Sequence, residues 1–306
     1  AYYDSVPLVC FTGQVARHLI GNDAFQEVDI VGITRSITKY GVTVRNREDL
    51  GRIVKEAFYI ARSGRPGPVL IDLPKDVMGE LGSAEYPAEV NIRGYRPNTQ
   101  VHVGQLKKAI KMLNKAKRPL FLAGGGVNIA RANAEFTQLA ERTNIPVVTT
   151  VMGRGAIATD HPLYVGNLGM HGAYACNMAV GECDLLFSIG TRFNDRITGK
   201  LHSFAPHARI VHIDIDTAAI SKNVQVDVPI VADAKEAITR MLEYVTECDT
   251  KKWLDEVREW QCEHPMQMKK KPIMTPQDII DTINRVFEEA FIISDVGQHQ
   301  MFTAQF

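Results

Sequence analysis

The sequence predicts an α/β protein built from doubly wound parallel sheets, and three observations predict this class. Short apolar runs recur along the chain, and each ends in a glycine-rich or polar turn, as Pro119–Ala123 does. Segments with the 3.6-residue spacing of amphipathic helices, such as Ile129–Arg142, lie between them. The runs are nearly continuous rather than alternating, which is typical of strands buried on both faces of a parallel sheet.

The first part, residues 1–85, is predicted to be the later part of one α/β domain. A strand at Pro7–Phe11 opens it, and a helix at Glu48–Arg62 leads into a second strand at Pro68–Asp72. Residues 86–100 are rich in proline, asparagine and tyrosine without periodicity, so they are interpreted as a linker.

The middle part, residues 101–248, is predicted to be a whole α/β domain, because helical and apolar segments alternate throughout it. Its predicted elements are a helix near 104–115, a strand at 119–123, a helix at 129–142, a strand at 146–150, a helix at 174–181, strands at 184–189, 209–213 and 229–231, and a helix at 234–245.

The last part begins with a connecting helix and linker, residues 249–273, and continues as the start of another α/β domain, residues 274–306. Thr275 is a good N-cap and Pro276 suits the first position of a helix. A strand is predicted to follow that helix at Phe291–Ser294. One helix and one strand have little to pack on, so the chain is interpreted as an internal piece of a longer protein.

Composition argues against several classes of function. Lys+Arg and Asp+Glu both number 35, so no net charge attracts nucleic acid or an anionic membrane. The chain has no apolar run of about 18 residues and no signal-peptide pattern at its start. Its five cysteines lack CxxC spacing, which favours a reducing compartment and argues against structural zinc. We expect a cytoplasmic protein, or a plastid protein if a transit peptide lies upstream.

Two strand ends of the middle part carry candidate ligand-binding residues. Gly124–Gly126 would let a ligand approach the backbone, although the string is not GxGxxG and a tight turn required by packing explains it equally well. In Gly190–Arg196, Arg192 and Arg196 suit phosphate oxygens and Asp195 suits sugar hydroxyls. A solvated cluster of paired charges is the alternative for this second loop.

A third strand end, His212–Asp216, carries the acidic pair Asp214 and Asp216. Acidic residues at this position of a parallel sheet commonly bind an adenosine ribose. Aspartates that cap a helix would give the same pattern.

Taken together, these segments resemble the large catalytic subunits of the acetolactate synthase (acetohydroxyacid synthase) family over essentially the whole chain. The matching segments are GQV at 13–15, DAFQE at 23–27, SGRPGP at 63–68, LPKD at 73–76, GGG at 124–126, GMHG at 169–172, RFNDR at 192–196, HIDID at 212–216 and DVGQHQM at 295–301. The family has pyrimidine-binding, central FAD-binding and diphosphate-binding domains, so the resemblance implies that residues 101–248 are the central domain, flanked by parts of the other two.

The resemblance implies a thiamine diphosphate-dependent transferase that also uses FAD and Mg²⁺. Such an enzyme decarboxylates pyruvate and condenses the product with a second 2-ketoacid, in the biosynthesis of isoleucine, valine and related amino acids. A homodimer or tetramer with the site at the subunit interface is implied, as is a regulatory small subunit. A pyruvate oxidase or glyoxylate carboligase type of enzyme, and a flavin-binding module without catalysis, remain alternatives.

The resemblance also implies roles for individual residues. Those facing the reacting end of the cofactor are Gln14, Phe25, Gln26 and Lys75. Those expected against FAD are Arg65, Gly124, Gly125, Gly126, Thr150, Val151, Met152, Met170, His171, Gly172, Gly190, Thr191, Arg192, Asp195, Arg196, Asp214, Ile215, Asp233 and Ala234. Those expected against thiamine diphosphate are Val296, Gly297, Gln298 and His299. The family's activating glutamate and its Gly-Asp-Gly…Asn-Asn metal motif do not occur here, so no residue of this chain is expected to bind the metal, and the chain alone is expected to be inactive.

Overall fold

The computed structural model describes residues 1–83, 85–97, 100–270, 272–287 and 289–306. The chain divides into two compact units, Ala1–Asn98 and Thr99–Phe306, each built on its own parallel sheet. The predicted parallel α/β class is therefore confirmed. Among the described residues, no helix combines the length and the apolar character needed to cross a membrane.

The first unit has a three-stranded sheet with strand order β1-β3-β2, in which both pairs are parallel. Its elements are β1 (Leu8–Gln14), α1 (Ile30–Thr34), β2 (Tyr40–Thr43), α2 (Leu50–Arg62), β3 (Pro68–Pro74) and α3 (Lys75–Gly79). Helical spacing places Ile53, Ala57 and Ile60 on one face of α2, where they share an apolar cluster with Val69 and Ile71 of the central strand. This cluster is the core of the unit.

The second unit has a six-stranded parallel sheet with strand order β6-β5-β4-β7-β8-β9. Its elements are α4 (Val103–Leu113), β4 (Pro119–Ala123), α5 (Gly125–Ile129), α6 (Asn133–Thr143), β5 (Val147–Thr149), β6 (Tyr164–Asn167), α7 (Tyr174–Glu182), β7 (Leu185–Ile189), α8 (Asp195–Thr198), β8 (Arg209–Asp214), β9 (Val228–Val231), α9 (Ala234–Leu242), α10 (Lys251–Glu263), α11 (Pro276–Val286) and α12 (Gln298–Gln305).

Both faces of this sheet are buried, as the doubly wound class requires. On β4, Phe121 and Ala123 belong to the apolar cluster that includes α4, α6 and α9, whereas Leu120 and Leu122 belong to the cluster that includes α7 and α10. The alternation follows from the two-residue period of a strand, and burial on both sides explains why the run is apolar without interruption.

Most predicted elements differ from the structure by a few residues at their ends, and two helices begin later than predicted. The helix predicted at 129–142 begins only at Asn133, as α6, because Arg131 has a φ of +54° that an α-helix cannot contain and that separates α6 from the short α5. The helix predicted from Glu48 begins at Leu50, after a short 3₁₀ turn. Strands β2 and β6 were not predicted, since each is only four residues long and carries few apolar side chains.

The prediction of a strand at Phe291–Ser294 is wrong. These residues form no strand pairing, and the side chains of Phe291 and Ile293 are exposed. A strand needs a partner for its backbone N–H and C=O groups, and none of the described strands lies beside this segment. Helix α12 begins at Gln298, directly after Gly297.

Candidate functional site

Three strand ends of the first unit converge on one buried carboxylate, that of Asp72 on β3. Asp72 is only 1% exposed, and it is the register partner of both Thr12 on β1 and Thr43 on β2. The two threonine hydroxyls donate to this carboxylate at 2.8 and 3.1 Å, and Gln14 Nε2 donates at 3.2 Å. Because donors from β1 and β2 share this one acceptor on β3, Asp72 joins the carboxyl ends of the three strands.

The side-chain amide of Gln14 makes three hydrogen bonds within the first unit. Besides Asp72, its Nε2 donates to the carbonyl of Val28 at 2.8 Å, and its Oε1 accepts from the backbone N–H of Val15 at 2.9 Å. Gln14 thus links β1 to the loop that follows it. Donation from Gln14 to cofactor or substrate would require one of the two Nε2 bonds to be exchanged, whereas Oε1 has a second lone pair that can accept. The contact of Gln14 with cofactor or substrate stays a prediction.

Phe25, Gln26 and Lys75 are placed where a ligand can reach them. Lys75 is exposed as the first residue of α3, directly after β3. Phe25 is 88% exposed, and Gln26 has a φ of +62°, which residues of its type rarely adopt. A strained backbone next to an exposed aromatic side chain is a pattern found at functional loops. Their contact with substrate stays a prediction.

Arg65, predicted to reach the flavin, lies in the turn after α2 and is engaged within the first unit. Its Nε donates to Ser5 Oγ at 3.0 Å, and a terminal nitrogen donates to the carbonyls of Tyr2 and Tyr3 at 3.3 Å. The guanidinium also lies 5.7 Å from the centroid of the Tyr2 ring. Its binding to flavin stays a prediction.

In the second unit the strand order reverses between β4 and β7, the position at which doubly wound sheets bind ligands. The loops after these strands meet through glycines. Gly126 N–H donates to the Gly190 carbonyl at 3.1 Å, and a Cβ on Gly126 would lie 2.6 Å from the Cα of Gly190. A Cβ on Gly124 would lie 2.1 Å from that carbonyl oxygen, and one on Gly125 would lie 3.0 Å from Met152. Close packing between the loops therefore requires glycine at these positions, and flavin binding by Gly124–Gly126 and Gly190 stays a prediction.

The loop after β7 is anchored by Phe193, which is 1% exposed and has a φ of +51°. Its ring packs edge-on against His212 and Phe204, at centroid distances of 4.9 and 5.9 Å, and Asn223 Nδ2 donates to its carbonyl at 2.9 Å. His212 Nε2 donates to the carbonyl of Thr191 at 2.7 Å, because a carbonyl oxygen can only accept. These contacts hold the loop in one shape.

Four buried polar atoms at the ends of β7 and β8 lack a hydrogen-bond partner among the described residues: Ser188 Oγ, Thr191 Oγ1, Asn194 Oδ1 and His212 Nδ1. Buried polar groups in native proteins are nearly always paired, so unpaired atoms at a strand end suit a polar ligand. Asp195 and Arg196 follow on the same loop and are exposed. The loop can therefore offer hydroxyl, amide and charged groups to one ligand.

The edge of this region is apolar. Val151 and Met152 are 47% and 56% exposed in a 3₁₀ turn whose N-cap is Thr150, and Met170 is 61% exposed. Met170 is tied to the β7 loop, since its backbone N–H donates to the Arg196 carbonyl at 2.8 Å. The neighbouring predicted residues His171 and Gly172 lie in the same turn as Met170. Exposed apolar side chains beside unpaired polar atoms suit a ligand with a flat apolar ring and a polar tail.

The predicted acidic residues accept local backbone hydrogen bonds, and two of them, Asp216 and Asp233, are helix N-caps. Asp214 accepts from the backbone N–H of Asp216 at 2.9 Å, and Asp216 accepts from that of Ala218 at 3.0 Å. Asp233 is the N-cap of α9 and accepts from Lys235 N–H at 2.9 Å. Ribose binding by Asp214 and flavin binding by Asp233 stay predictions. The adjacent predicted residues are Ile215, half-buried, and Ala234, buried.

Helix α12 docks on the loops of the second unit through its C-terminal carbonyls. The Arg154 guanidinium donates to the carbonyls of Thr303 and Ala304, and Asn167 Nδ2 donates to that of Ala304 at 2.7 Å. These carbonyls have no acceptor role within the helix, so the two side chains cap it. The predicted thiamine diphosphate residues at its start are Val296, Gly297, Gln298 and His299, of which all but the half-buried glycine are exposed.

Sequence reasoning missed the residues that hold these loops in place. Asp72 and Asp76 were not proposed as site residues, nor were Arg17 and His212 assigned a role. One usable signal existed for Asp72, a charged residue inside the apolar run of β3, since such a residue needs buried partners. Within the described residues, no group of three or more His, Cys, Asp or Glu side chains could hold a metal ion.

Comparison with known proteins agrees with this geometry. Residues 106–241 match the family described as thiamine pyrophosphate enzyme, central domain. This part of the chain is therefore similar to the central domains of thiamine pyrophosphate enzymes, and its doubly wound sheet agrees with that similarity.

The whole chain is, in addition, homologous to large subunits of acetolactate synthase, as its motifs had indicated. It is 46% identical over 320 residues to the probable acetolactate synthase large subunit of Methanocaldococcus jannaschii and 44% identical over 312 residues to the large subunit of Buchnera aphidicola subsp. Schizaphis graminum. It is 43% identical over 321 residues to acetolactate synthase isozyme 3 large subunit of Escherichia coli. The alignments cover 99–100% of this chain and 54–55% of the relatives, so the chain spans about half of their length.

Proposed function

We propose that this chain is part of a thiamine diphosphate-dependent acetolactate synthase. The reaction is the decarboxylation of pyruvate and condensation with pyruvate or 2-ketobutyrate, giving 2-acetolactate or 2-aceto-2-hydroxybutyrate. The observation that carries the proposal is the similarity to acetolactate synthase large subunits over 99–100% of the chain, which includes both units. Assembly into a homodimer or tetramer, with a regulatory small subunit, belongs to the same proposal.

The residues of the second unit fit a flavin nucleotide. Unpaired Thr191 Oγ1 and Asn194 Oδ1 can bond to its polar part, with the Arg196 guanidinium beside them. Exposed Met152 and Met170 can cover an apolar ring. The condensation transfers no hydride, so FAD is proposed to stabilise the unit by binding the folded state rather than to react. Mg²⁺ is proposed to be held by residues outside this chain.

Thiamine diphosphate, when bound, supplies the carbanion chemistry at the keto carbon of pyruvate. The proposed work of this chain is placement and charge. The Lys75 ammonium attracts the substrate carboxylate, and exposed Phe25 excludes water from the reacting carbon. Gln26 orients substrate oxygens through its amide. Gln298 and His299 donate hydrogen bonds towards the diphosphate.

A flavin titration tests the assignment of the second unit. Arg192→Ala and Arg196→Ala are expected to weaken FAD binding by roughly tenfold to a hundredfold, since each removes a charge-assisted contact. Arg209→Ala is the matched control, because Arg209 is an exposed arginine at the opposite, amino end of β8. Equal FAD dissociation constants for all three variants and the parent chain would show that FAD does not bind at this loop.

Product analysis tests the reaction. The chain extended to the length of its relatives is expected to form acetolactate from pyruvate with thiamine diphosphate and Mg²⁺, and Lys75→Ala is expected to lower turnover far more than cofactor affinity. The 306 residues alone are expected to bind flavin without forming acetolactate. Acetyl phosphate formed when phosphate and O2 are supplied with pyruvate would instead indicate the oxidase reaction, and tartronate semialdehyde formed when glyoxylate is supplied would indicate the carboligase reaction.

A further inference from the structure

The loop between β1 and α1, residues 15–29, is held at its start by Arg17. The backbone N–H of Arg17 donates to Asp76 Oδ1 at 3.0 Å, and its side-chain Nε donates to Asp76 Oδ2 at 2.7 Å. One carboxylate therefore accepts hydrogen bonds from both the main chain and the side chain of the same residue. The other guanidinium nitrogens contact the carbonyl of Arg45, at 2.7 Å, and the carboxylate of Glu80.

The rest of the 15–29 loop is closed by two further contacts. Near its end, the carbonyl of Val28 accepts from Gln14 Nε2 at 2.8 Å. In the middle, the carboxylate of Glu27 accepts from the backbone N–H groups of Gly21 and Ala24. The hydrogen bonds from Gly21 and Ala24 lower the pKa of Glu27, so this internal bridge is ionised at neutral pH. The loop is thus a closed unit attached to the sheet at both ends.

The attachment at the start of the loop lies next to residues predicted to contact substrate. Asp76 directly follows Lys75 in α3, and the loop that Asp76 holds carries Phe25 and Gln26. The side-chain hydrogen bond from Arg17 is the largest cause that lowers the pKa of Asp76 to about 2, so the carboxylate is charged at neutral pH. The side chains of Arg17 and Asp76 are about one-third exposed, which leaves their contact partly screened by solvent.

We propose that Arg17 and Asp76 are a positioning pair that fixes the 15–29 loop against the strand end that carries Lys75. Neither residue contacts the reacting atoms; the pair sets where Phe25 and Gln26 lie relative to Lys75. What the loop faces rests on the proposed function above, whereas the attachment of the loop does not.

Hydrogen exchange of the 306-residue chain without cofactors tests the attachment. In Arg17→Ala and Asp76→Ala, amides of residues 18–27 are expected to exchange roughly threefold to tenfold faster, because the loop opens more often. Asp76→Asn keeps an oxygen for the backbone N–H of Arg17 and is expected to fall between the parent and Asp76→Ala. Arg17→Lys keeps the charge and is expected to restore part of the protection.

Amides of the central strand, residues 69–71, report whether an effect is local, and they are expected to stay protected in every variant. Arg62→Ala is the matched control, because it removes an exposed arginine at the end of α2, where its Nε donates to the carbonyl of Phe58 at 3.3 Å. Unchanged exchange in 18–27 would overturn the proposal, and so would equal loss of protection in 69–71, which indicates a role in stability alone.

A second measurement separates this proposal from the proposed function. Asp76→Asn in the extended chain is expected to lower kcat for acetolactate with the flavin dissociation constant unchanged. An extended parent chain that forms no acetolactate would refute the proposed function while the exchange result still decides the attachment. Normal kcat in a variant whose loop exchanges faster would overturn the positioning role of the pair.

Discussion

The two units hold the carboxyl ends of their strands together by different means. In the first unit, the carboxylates of Asp72 and Asp76 accept hydrogen bonds from side chains and backbone of neighbouring segments. In the second unit, Gly124, Gly126 and Gly190 bring the loops so close that a Cβ atom does not fit between them. A carboxylate can be replaced by a similar group with only a partial loss of hydrogen bonding, and its charge depends on pH. A backbone contact between glycines allows no added atom and does not titrate.

The glycine contact predicts the greatest loss of stability on substitution. Gly190→Ala is expected to destabilise the second unit by about 3 kcal/mol, because the residue has a φ of +65° and the new Cβ would lie 2.5 Å from the Cα of Gly126. Urea unfolding followed by tryptophan fluorescence measures this, since both tryptophans, Trp253 and Trp260, lie in α10 of the second unit. Gly181→Ala is the control; it has open space and should be neutral or slightly stabilising.

The buried carboxylate of the first unit predicts a smaller but clear loss. Asp72→Ala leaves the hydroxyls of Thr12 and Thr43 and the amide of Gln14 without their acceptor, at a cost of about 2 kcal/mol. The two tryptophans do not report on this unit, so exchange of the β3 amides is the suitable measurement. Exposed Glu89→Ala should leave that exchange unchanged. An equal effect of both substitutions would show that Asp72 does not join the strands.

A charged side chain also stabilises one segment of the second unit, so the contrast between the units is one of degree. Arg154→Ala is expected to cost about 1 kcal/mol at the C-terminus of α12, since a cation there interacts with the last carbonyls. The helix has eight residues and is too short to be stable alone, so amides of residues 301–305 should exchange faster as a group. Arg258→Ala removes an exposed arginine of α10 and should leave them protected.

The smallest effect that we expect is a loss of order in the 15–29 loop of the first unit at low pH. The pKa of Asp76 is about 2 in the folded chain, below its ordinary value of 3.8, chiefly because the Arg17 side chain donates to it. The unfolded chain therefore takes up the proton first as pH falls. The contribution of Asp76 to loop order is complete above about pH 4 and is lost as pH falls through about 2.

Exchange in residues 18–27, corrected for the intrinsic pH dependence of amide exchange, measures this loss. Asp76→Asn should show a smaller change between pH 4 and 2, and the part that stays is due to Glu27, whose lowered pKa means that its bridge to the Gly21 and Ala24 amides is also lost in acid. A parent chain whose loop keeps its protection at pH 2 would show that the ion pair contributes nothing to the loop. The loops of the second unit provide an internal comparison, since their glycine contacts do not titrate.

Much of the fold could be predicted from the sequence, and the misses share a physical cause. The strands Pro119–Ala123 and Leu185–Ile189 are continuous apolar runs, and the structure shows strands there. The run Phe291–Ser294 is equally apolar but forms no strand, because strand formation depends on a pairing partner and not on composition. The glycines at 124–126 were found by pattern, but whether they serve packing or a ligand depends on the position of Gly190.

The α/β class and the family could be read from the sequence, because periodicity and short motifs are properties of consecutive residues. The partners of Asp72 could not, since Thr12 is 60 residues away and Thr43 is 29 away. Their meeting depends on the order of strands in the sheet. The hydrogen bond between Asp76 and Arg17, which are 59 residues apart, depends on the fold in the same way. A hydrogen bond acts over about 3 Å whatever the sequence separation, so folding alone selects which polar groups meet.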